Sequence, residues 1–545
     1  MHELLIDSIS WERVNLTLEG HAVSRVLPEG FSACEIVVIN PSGTKEVSLG
    51  QPEYSGERFR LRFNAMRVDD LYPLTTGSWV LHVRTGDGEP TALGVDAAMS
   101  LPVAGYGGLF SARRHRYWIL PAAQRSTGAC VLEVNYSEPE AHPNPIWHLR
   151  AARNAKKALR SLREHVYVLL FNAIARSVPK NGRRILFTSD SRPGLSGNLQ
   201  HLHARMVERG LDRTHTLHTS FKPNIKAKRP LRDKLLFPIR LATADVIVLD
   251  DYHPLLYKVE FGKNVRIIQV WHASGAFKTV GYSRVGKPGG PTPFSAAHKN
   301  YTHAIVSSKH DIGFYAEAFG IPESRVIPTG IPRMDLFFDD EHAARTRAAV
   351  HEAMPVLRDR KVILFAPTFR GSGPRNAYYD YELLDLAALH TLCEEQDAVV
   401  VFKMHPFIIE PLDMPARFAD RFIDATTSRE INDLLLVADL VITDYSSLVF
   451  EYSTLNRPML FFAYDLEEYV ATRDFYEEFT SFVPGKIVRT FAELLDAIRA
   501  GDFEFEKVAP FAREHLGHQD AGATDRVIDQ LILGGNDTSG GGRIL

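Results

Sequence analysis

A chain of 545 residues is longer than one hydrophobic core organises, and at roughly 150 residues per domain it predicts about three or four folding units. Its 45% apolar and 24% charged residues exclude a wholly disordered or collagen-like chain, and a formal net charge of −3 argues against a protein built around non-specific nucleic-acid binding. Cys34, Cys130 and Cys393 stand far apart with no CxxC spacing, so they predict neither a disulfide framework nor a zinc site and fit a reducing cytoplasm.

The first residues, MHELLIDSISWERVNL, have no basic segment leading into an apolar one and do not read as a secretory signal. No stretch reaches the ~20 uninterrupted apolar residues of a spanning helix, so membrane contact is expected to be peripheral. Residues 1–140 alternate short β-prone runs (RVNLTLEG, CEIVVIN, RLRFNAM, SWVLHV) with Gly, Pro, Asn and Asp turns, which predicts a β-rich, sandwich-like accessory domain. Residues 141–183 form a basic amphipathic helical linker: after the turn HPNP, Arg150, Arg153, Lys156, Lys157, Arg160 and Arg163 accompany Trp147, Leu159, Leu162, Val166, Leu169 and Leu170 at helical spacing. Such a helix reads equally as a contact for an anionic leaflet and as an interdomain helix with a solvated face. KPNIKAKRPLRDK, residues 222–234, adds a second basic cluster.

From 184 the pattern becomes α/β. RRILFTSD, ADVIVLDD, VRIIQVWH and HAIVSS are continuous apolar runs ending in polar residues, as parallel strands covered on both faces require. After VIPTGIPRMD a second set follows: KVILFAPTF, DAVVVFKMHP, DLVITDYSS and RPMLFFAYD. These predict two Rossmann-like domains, 184–335 and 336–532, with ligands bound in the cleft beyond the carboxyl ends of the strands. The glycine- and serine-rich residues 533–545 read as a disordered tail.

The chemistry-bearing residues fall at those strand ends. His272 follows IIQVW and His405 follows VVVFKM. One strand-end histidine is more often structural, but two on facing sheets suit a division of labour between a base for an attacking hydroxyl and a group that stabilises phosphate charge. In LVITDYSSLVFEYSTL, Asp444, Ser446 and Ser447 lie where a buried strand turns into a helix, a pattern that reads either as an anion site or as a plain helix cap. Gly330 and Arg333 in PTGIPRMD, Thr368 and Arg370 in APTFRGSG, and Lys403 two residues before His405 add candidates for a pyrophosphate clamp. GxxxxGK[ST], GxSxG and HExxH are absent, and SDSRPGLSGN is not a GxGxxG dinucleotide turn. The pair Asp250-Asp251 could chelate a cation but reads first as an acidic strand end, so no metal and no other cofactor is called.

With these blocks assembled, residues 184–532 resemble the CDP-glycerol glycerophosphotransferase family of teichoic acid polymerases and primases. The matching blocks are QVWHASGAFKTVG, TGIPRMD, ILFAPTFRG, VFKMHP, DLVITDYSSLVFEYSTLNRPMLFFAYDLEEY, and RDFYEEF followed by VPGKIV. The resemblance implies a GT-B-type pair of Rossmann domains, the first on the acceptor side and the second binding the CDP donor. It implies transfer of glycerol phosphate, or a related polyol phosphate, from CDP-glycerol or another CDP-polyol to the hydroxyl of a polyol-phosphate or lipid-linked glycan acceptor, with release of CMP. The expected setting is the inner face of the cell membrane, with an anionic membrane surface and no nucleic acid as partner. His272 becomes the acceptor-side catalytic residue; His405, Ser446 and Ser447 hold the pyrophosphate, with Arg370 and Lys403 as helpers. One block departs from the family: where WHG precedes Pro-Leu-Lys, this chain reads Trp271-His272-Ala273-Ser274-Gly275-Ala276-Phe277-Lys278. Two other readings stay open on the residues alone, a nucleotide-sugar transferase or epimerase on the same fold and a non-catalytic polymer-binding protein.

Overall fold

The computed structural model describes residues 4–534 apart from 24–33, 70–71, 87, 97–98, 100–106, 113–114, 125, 138–146, 288–289 and 372–375. In the helix Trp147–Ser177 the side chains of 147–157 and 160 are also outside the description, which removes most of the basic face expected there; the HPNP turn and the tail from 535 onward lie outside it too.

The N-terminal strands form two sheets around one apolar core. One has the order β5 (Glu53–Ser55), β6 (Arg58–Asn64), β2 (Asn15–Ala22), β1 (Leu4–Glu12), β9 (Gly94–Val95). The other runs β10 (Gly108–Ala112), β11 (His115–Ala123), β12 (Cys130–Ser137), β7 (Gly77–Thr85), β3 (Cys34–Ile39), β4 (Glu46–Gly50), with β8 (Thr91–Ala92) beside β7. Period-two patterning makes this work: β6 buries Phe59, Leu61 and Phe63 while Arg58, Arg60 and Arg62 face outward. The unit is built into the rest of the chain. Arg13 Nε donates to Glu317 Oε1 at 2.6 Å, Asn15 donates to the other oxygen of the same carboxylate, and Tyr282 and Val285 enter the N-terminal core.

Two six-stranded parallel sheets follow. The first has the order β14 (Thr216–Phe221), β13 (Arg184–Ser189), β15 (Val246–Leu249), β16 (Arg266–Gln269), β17 (His303–Ile305), β18 (Val326–Ile327). In the second, β21 (Phe422–Asp424), β20 (Ala398–Phe402), β19 (Lys361–Phe365), β22 (Leu440–Thr443), β23 (Met459–Phe462) and β24 (Lys486–Val488) lie side by side. Every residue of β15, β20, β22 and β23 is buried, because helices cover both faces.

The second unit ends earlier in space than in sequence. Residues 523–532 return to the first sheet: Val527, Ile528, Leu531 and Ile532 share a core with β13, β15 and β16. The Asp525 carboxylate accepts from Arg205 and Arg209, and Asp335 accepts from the Ala523 and Thr524 N–H groups at 2.9 Å. Stacked aromatics close the remaining seam, with Phe277 of the first unit 4.8 Å from Phe475 and 5.1 Å from Phe482 of the second. Among the described residues no helix is long and apolar enough to cross a membrane.

Candidate active site in the interdomain cleft

The carboxyl ends of the two parallel sheets face a cleft of about 910 Å³. It is lined by His272 and Arg333 from the first unit and by Lys403, His405, Ser446, Ser447 and the loop Thr426–Asp433 from the second. Residues 133 apart in sequence thus share one cavity, through the strand-end geometry that the apolar runs predict.

His272 stands on a constrained backbone. Trp271 before it has φ +42°, a left-handed conformation that a bulky residue rarely adopts. Three hydrogen bonds hold it there: the Trp271 N–H donates to Gln269 Oε1, and Asn198 Nδ2 donates to the carbonyls of Val270 and Trp271, each at 2.9 Å. The indole stacks obliquely on the imidazole with ring centres 4.3 Å apart. His272 Nδ1 lies 3.2 Å from the Asp250 carbonyl oxygen, which can only accept, so the proton sits on Nδ1 and Nε2 keeps its lone pair. An exposed imidazole in that tautomer can take a proton from a hydroxyl.

His405 is the opposite case. Its Nδ1 accepts from the Phe407 N–H at 3.1 Å, which leaves the proton on Nε2. Phe369 and Phe407 pack on the ring at 4.7 and 4.8 Å. Burial, with help from nearby Lys278, pushes its pKa down to about 4. A neutral imidazole with a donating Nε2–H is suited to hydrogen-bond a phosphate oxygen and unsuited to act as a general base near neutral pH.

Ser446 Oγ accepts from the Leu448 N–H at 3.4 Å at the start of the helix Leu448–Ser453, so this hydroxyl serves as a local cap. Ser447 makes no capping bond and lines the cleft.

Several strand-end charges are engaged by partners within the protein. Arg370 is buried; it clasps Asp465 through Nε at 2.6 Å and Nη2 at 2.8 Å, and donates to Asp444 at 2.8 Å. Asp444 also accepts from Thr368 N and Oγ1, at 2.8 and 2.9 Å, so Asp444, Thr368 and Arg370 form one closed network behind the cleft. Lys403 lines the cleft, yet its ammonium donates to the carbonyls of Ala425, Thr426 and Arg429, which uses all three of its protons to hold the cleft loop. Gly330, at φ +80°, is needed for packing: a Cβ there would meet Ala523 at 3.0 Å. The paired Asp250-Asp251 is likewise engaged, Asp250 by Arg192 at 2.5 Å and Asp251 by the Tyr252 N–H at 2.6 Å. For Arg370, Asp444 and Thr368 the partners lie 74 to 95 residues away, which local spacing does not show.

Arg333 does reach the cleft, in company the sequence does not announce. It pairs with the buried Glu451 carboxylate of the second unit and donates to Ser274 Oγ at 3.2 Å; Ser274 in turn donates to Glu451 at 2.8 Å. This triad ties the unusual turn after His272 to the helix after the double serine. Gly275 in the same turn is where the units touch most closely, because a Cβ there would lie 2.3 Å from the Phe450 ring.

The family model described as CDP-glycerol:poly(glycerophosphate) glycerophosphotransferase matches residues 170–533, which include both sheets and every cleft residue named above. The chain belongs to this family. A teichoic acid ribitol-phosphate polymerase, TarL of Staphylococcus aureus (strain NCTC 8325 / PS 47), is 38% identical over 97% of this chain and 99% of its own length. TarK, the ribitol-phosphate polymerase of the same strain, is 47% identical over 76% of this chain and 82% of its own. The solved wall teichoic acid polymerase TagF superposes with a TM-score of 0.56 at 22% identity, covering 71% of this chain and 98% of that one, which shows the GT-B-type fold of this glycerophosphotransferase family member and no more.

Proposed function

We propose that the chain transfers ribitol phosphate from CDP-ribitol to the terminal hydroxyl of a teichoic acid chain, releasing CMP. Membership of the glycerophosphotransferase family makes it a transferase of teichoic acid synthesis. The choice of ribitol over glycerol rests on its likeness to ribitol-phosphate polymerases along nearly their whole length.

The observation that carries the reading is the pairing of two histidines in opposite tautomers across one cleft. His272 Nε2 takes the proton of the acceptor hydroxyl as its oxygen attacks the polyol-bearing phosphorus. A new P–O bond forms, the bridging P–O bond breaks, and CMP leaves with that electron pair. His405 Nε2–H and the Ser447 hydroxyl hold the phosphate oxygens whose charge grows in this step. Arg333 is too close to Glu451 to act as a lone charge; it orients the turn that carries His272 while presenting a guanidinium edge to the cleft. Lys403 and the Arg370–Asp444–Thr368 network keep the donor loops in place. The two Rossmann-like units then divide acceptor and donor, with residues 1–140 as an accessory domain.

The direct test is CMP release by the full chain from CDP-ribitol, CDP-glycerol and UDP-sugars, with a polyol-phosphate acceptor. Release from CDP-ribitol at least tenfold above CDP-glycerol supports the reading. Release from CDP-glycerol alone assigns the other polyol, and turnover of UDP-sugars alone overturns both.

The same proposal places the protein at an anionic membrane surface. Leu162, Val166 and Leu169 of the long helix are 55–68% exposed, and Leu231 and Leu235 on the neighbouring helix Leu231–Thr243 are 73% and 64% exposed. Lys226, Lys228, Arg232 and Lys234 are exposed beside them, whereas Lys222 and Arg229 of the same cluster are buried on Asp190. Apolar side chains rimmed by cations suit an anionic leaflet. Flotation with phosphatidylglycerol vesicles should be lost in a Leu162→Ser, Leu169→Ser, Leu231→Ser variant; unchanged flotation argues against this surface.

A further inference from the structure

Beyond the donor cleft lies a second cavity of about 830 Å³ that the transfer step does not use. Arg284, Phe369, Tyr378, Tyr464, Tyr469 and Arg473 line it. Phe369 is the partition between the two spaces, since its ring also packs on His405 at 4.7 Å.

A line of cations connects the two. Lys278, six residues beyond His272, lines the small space beside that histidine, and its ammonium stands 5.3 Å from the Tyr469 ring centre. It has no carboxylate within ion-pair distance among the described residues. From Tyr469 the wall continues to Arg473, whose guanidinium lies 5.2 Å from the Phe369 ring centre and donates one bond, from Nη2 to the Gly371 carbonyl at 2.7 Å. Among the described residues that guanidinium has no second hydrogen-bond acceptor, which leaves N–H groups for a ligand. Arg284 reaches the same place from the first unit and donates to the Arg473 carbonyl at 2.9 Å. Burial is the main cause that lowers the Arg284 pKa, with the neighbouring Arg473 adding to it and Asp474 opposing it. Of the three acids of the lining, Asp465 is held by Arg370 from two sides and Asp380 caps its own turn through the Glu382 N–H, while Glu468 is exposed at the solvent edge.

We propose that this second cavity seats the anionic acceptor: with the terminal hydroxyl at His272, preceding phosphodiester groups pass Lys278 and settle against Arg473 and Arg284. The inference rests on the transfer reading above. Repeating anions meet spaced cations, and the aromatic faces offer contact to the polyol carbons between them. The turn that carries Arg284 is anchored in the N-terminal core through Tyr282 and Val285, so the seat is fixed to both catalytic units and to the accessory strands.

The test uses the full chain and a fluorescently labelled ribitol-phosphate oligomer, with CDP binding measured in parallel. Arg473→Gln is expected to weaken oligomer binding at least tenfold, leave CDP binding within twofold, and shorten the polymer made from CDP-ribitol. Tyr378→Ala, at a side chain 53% exposed on the rim, is expected to weaken the oligomer severalfold without lowering the unfolding midpoint, which separates loss of the seat from loss of fold. Unchanged oligomer affinity in both cavity variants overturns the proposal, and so does a selective loss of CDP binding, which would make the cavity part of the nucleotide site. Because the readout is binding, a failure of wild-type CDP-ribitol turnover would strike the transfer reading and leave this measurement intact.

Discussion

Trp271 holds a left-handed backbone that carries His272 into the cleft and would relax if released. Strain of this kind costs about 1–3 kcal/mol and persists only where neighbours hold it. Asn198→Ala removes two of the three holding bonds, so kcat should fall at least tenfold, accompanied by a stability loss of about 1–3 kcal/mol from two unpaired carbonyls. Full activity in that variant would mean the turn holds itself. Arg370 makes the contrasting case. With its guanidinium sealed between Asp444 and Asp465, Arg370→Met should cost about 3–5 kcal/mol in a denaturant titration, by leaving buried carboxylates unpaired. A variant that stays stable but shows a raised KM for donor would return Arg370 to the ligand.

At the scale of elements, the turn Ala273–Phe277 is an interdomain joint, and its glycine is a matter of space. Gly275→Ala must push Phe450 away, an overpacking expected to cost about 1–3 kcal/mol and to lower kcat by shifting His272 against Ser447. Unfolding midpoint and kcat measured together check it, and an unaffected kcat would show that the lobes need no such close approach. Legibility also divides by element. Interior strands such as β15, β20 and β22 were readable because burial on both faces demands unbroken apolar runs. The edge strands β14, β18, β21 and β24 were not: only one neighbour pairs with each, β14 is mostly half-buried and polar, and the other three are two or three residues long. His272, His405, Ser446 and Ser447 could be placed at one cleft because strand ends carry that information. Glu451 could not, for an acid within LVFEYSTL has the look of a solvated helix position until Arg333 and Ser274 arrive from the other unit. Lys403 and Arg370 were legible as strand-end cations, but only the fold reveals where their protons go.

For the whole molecule, the buried histidines set the response to acid. Burial holds His253, His405 and His515 down to about 4 and His298 to about 3, against an ordinary value near 6.5. The unfolded chain therefore binds protons that the folded chain refuses, so stability is complete above about pH 6.5 and declines as pH falls toward 4. Burial also lowers His201, His203, His218 and His303, whereas it raises Asp250, Glu317, Asp335 and, to about 7, Asp311; these four carboxyls work in the opposite direction and offset part of the effect of the eight imidazoles. Unfolding midpoints should drop steadily between pH 6.5 and 4; a flat profile would mean these imidazoles are solvated in the folded state. Burial that holds His405 down to about 4 makes it a poor proton acceptor near neutral pH, and the proposed mechanism therefore gives that role to His272. The most direct measurement is the rate of CMP release from CDP-ribitol with a ribitol-phosphate acceptor, comparing wild type with His272→Ala at equal CDP occupancy. A fall of about 10²–10⁴-fold with CDP affinity unchanged is the predicted result; release at the wild-type rate would contradict the assignment of His272 as the base.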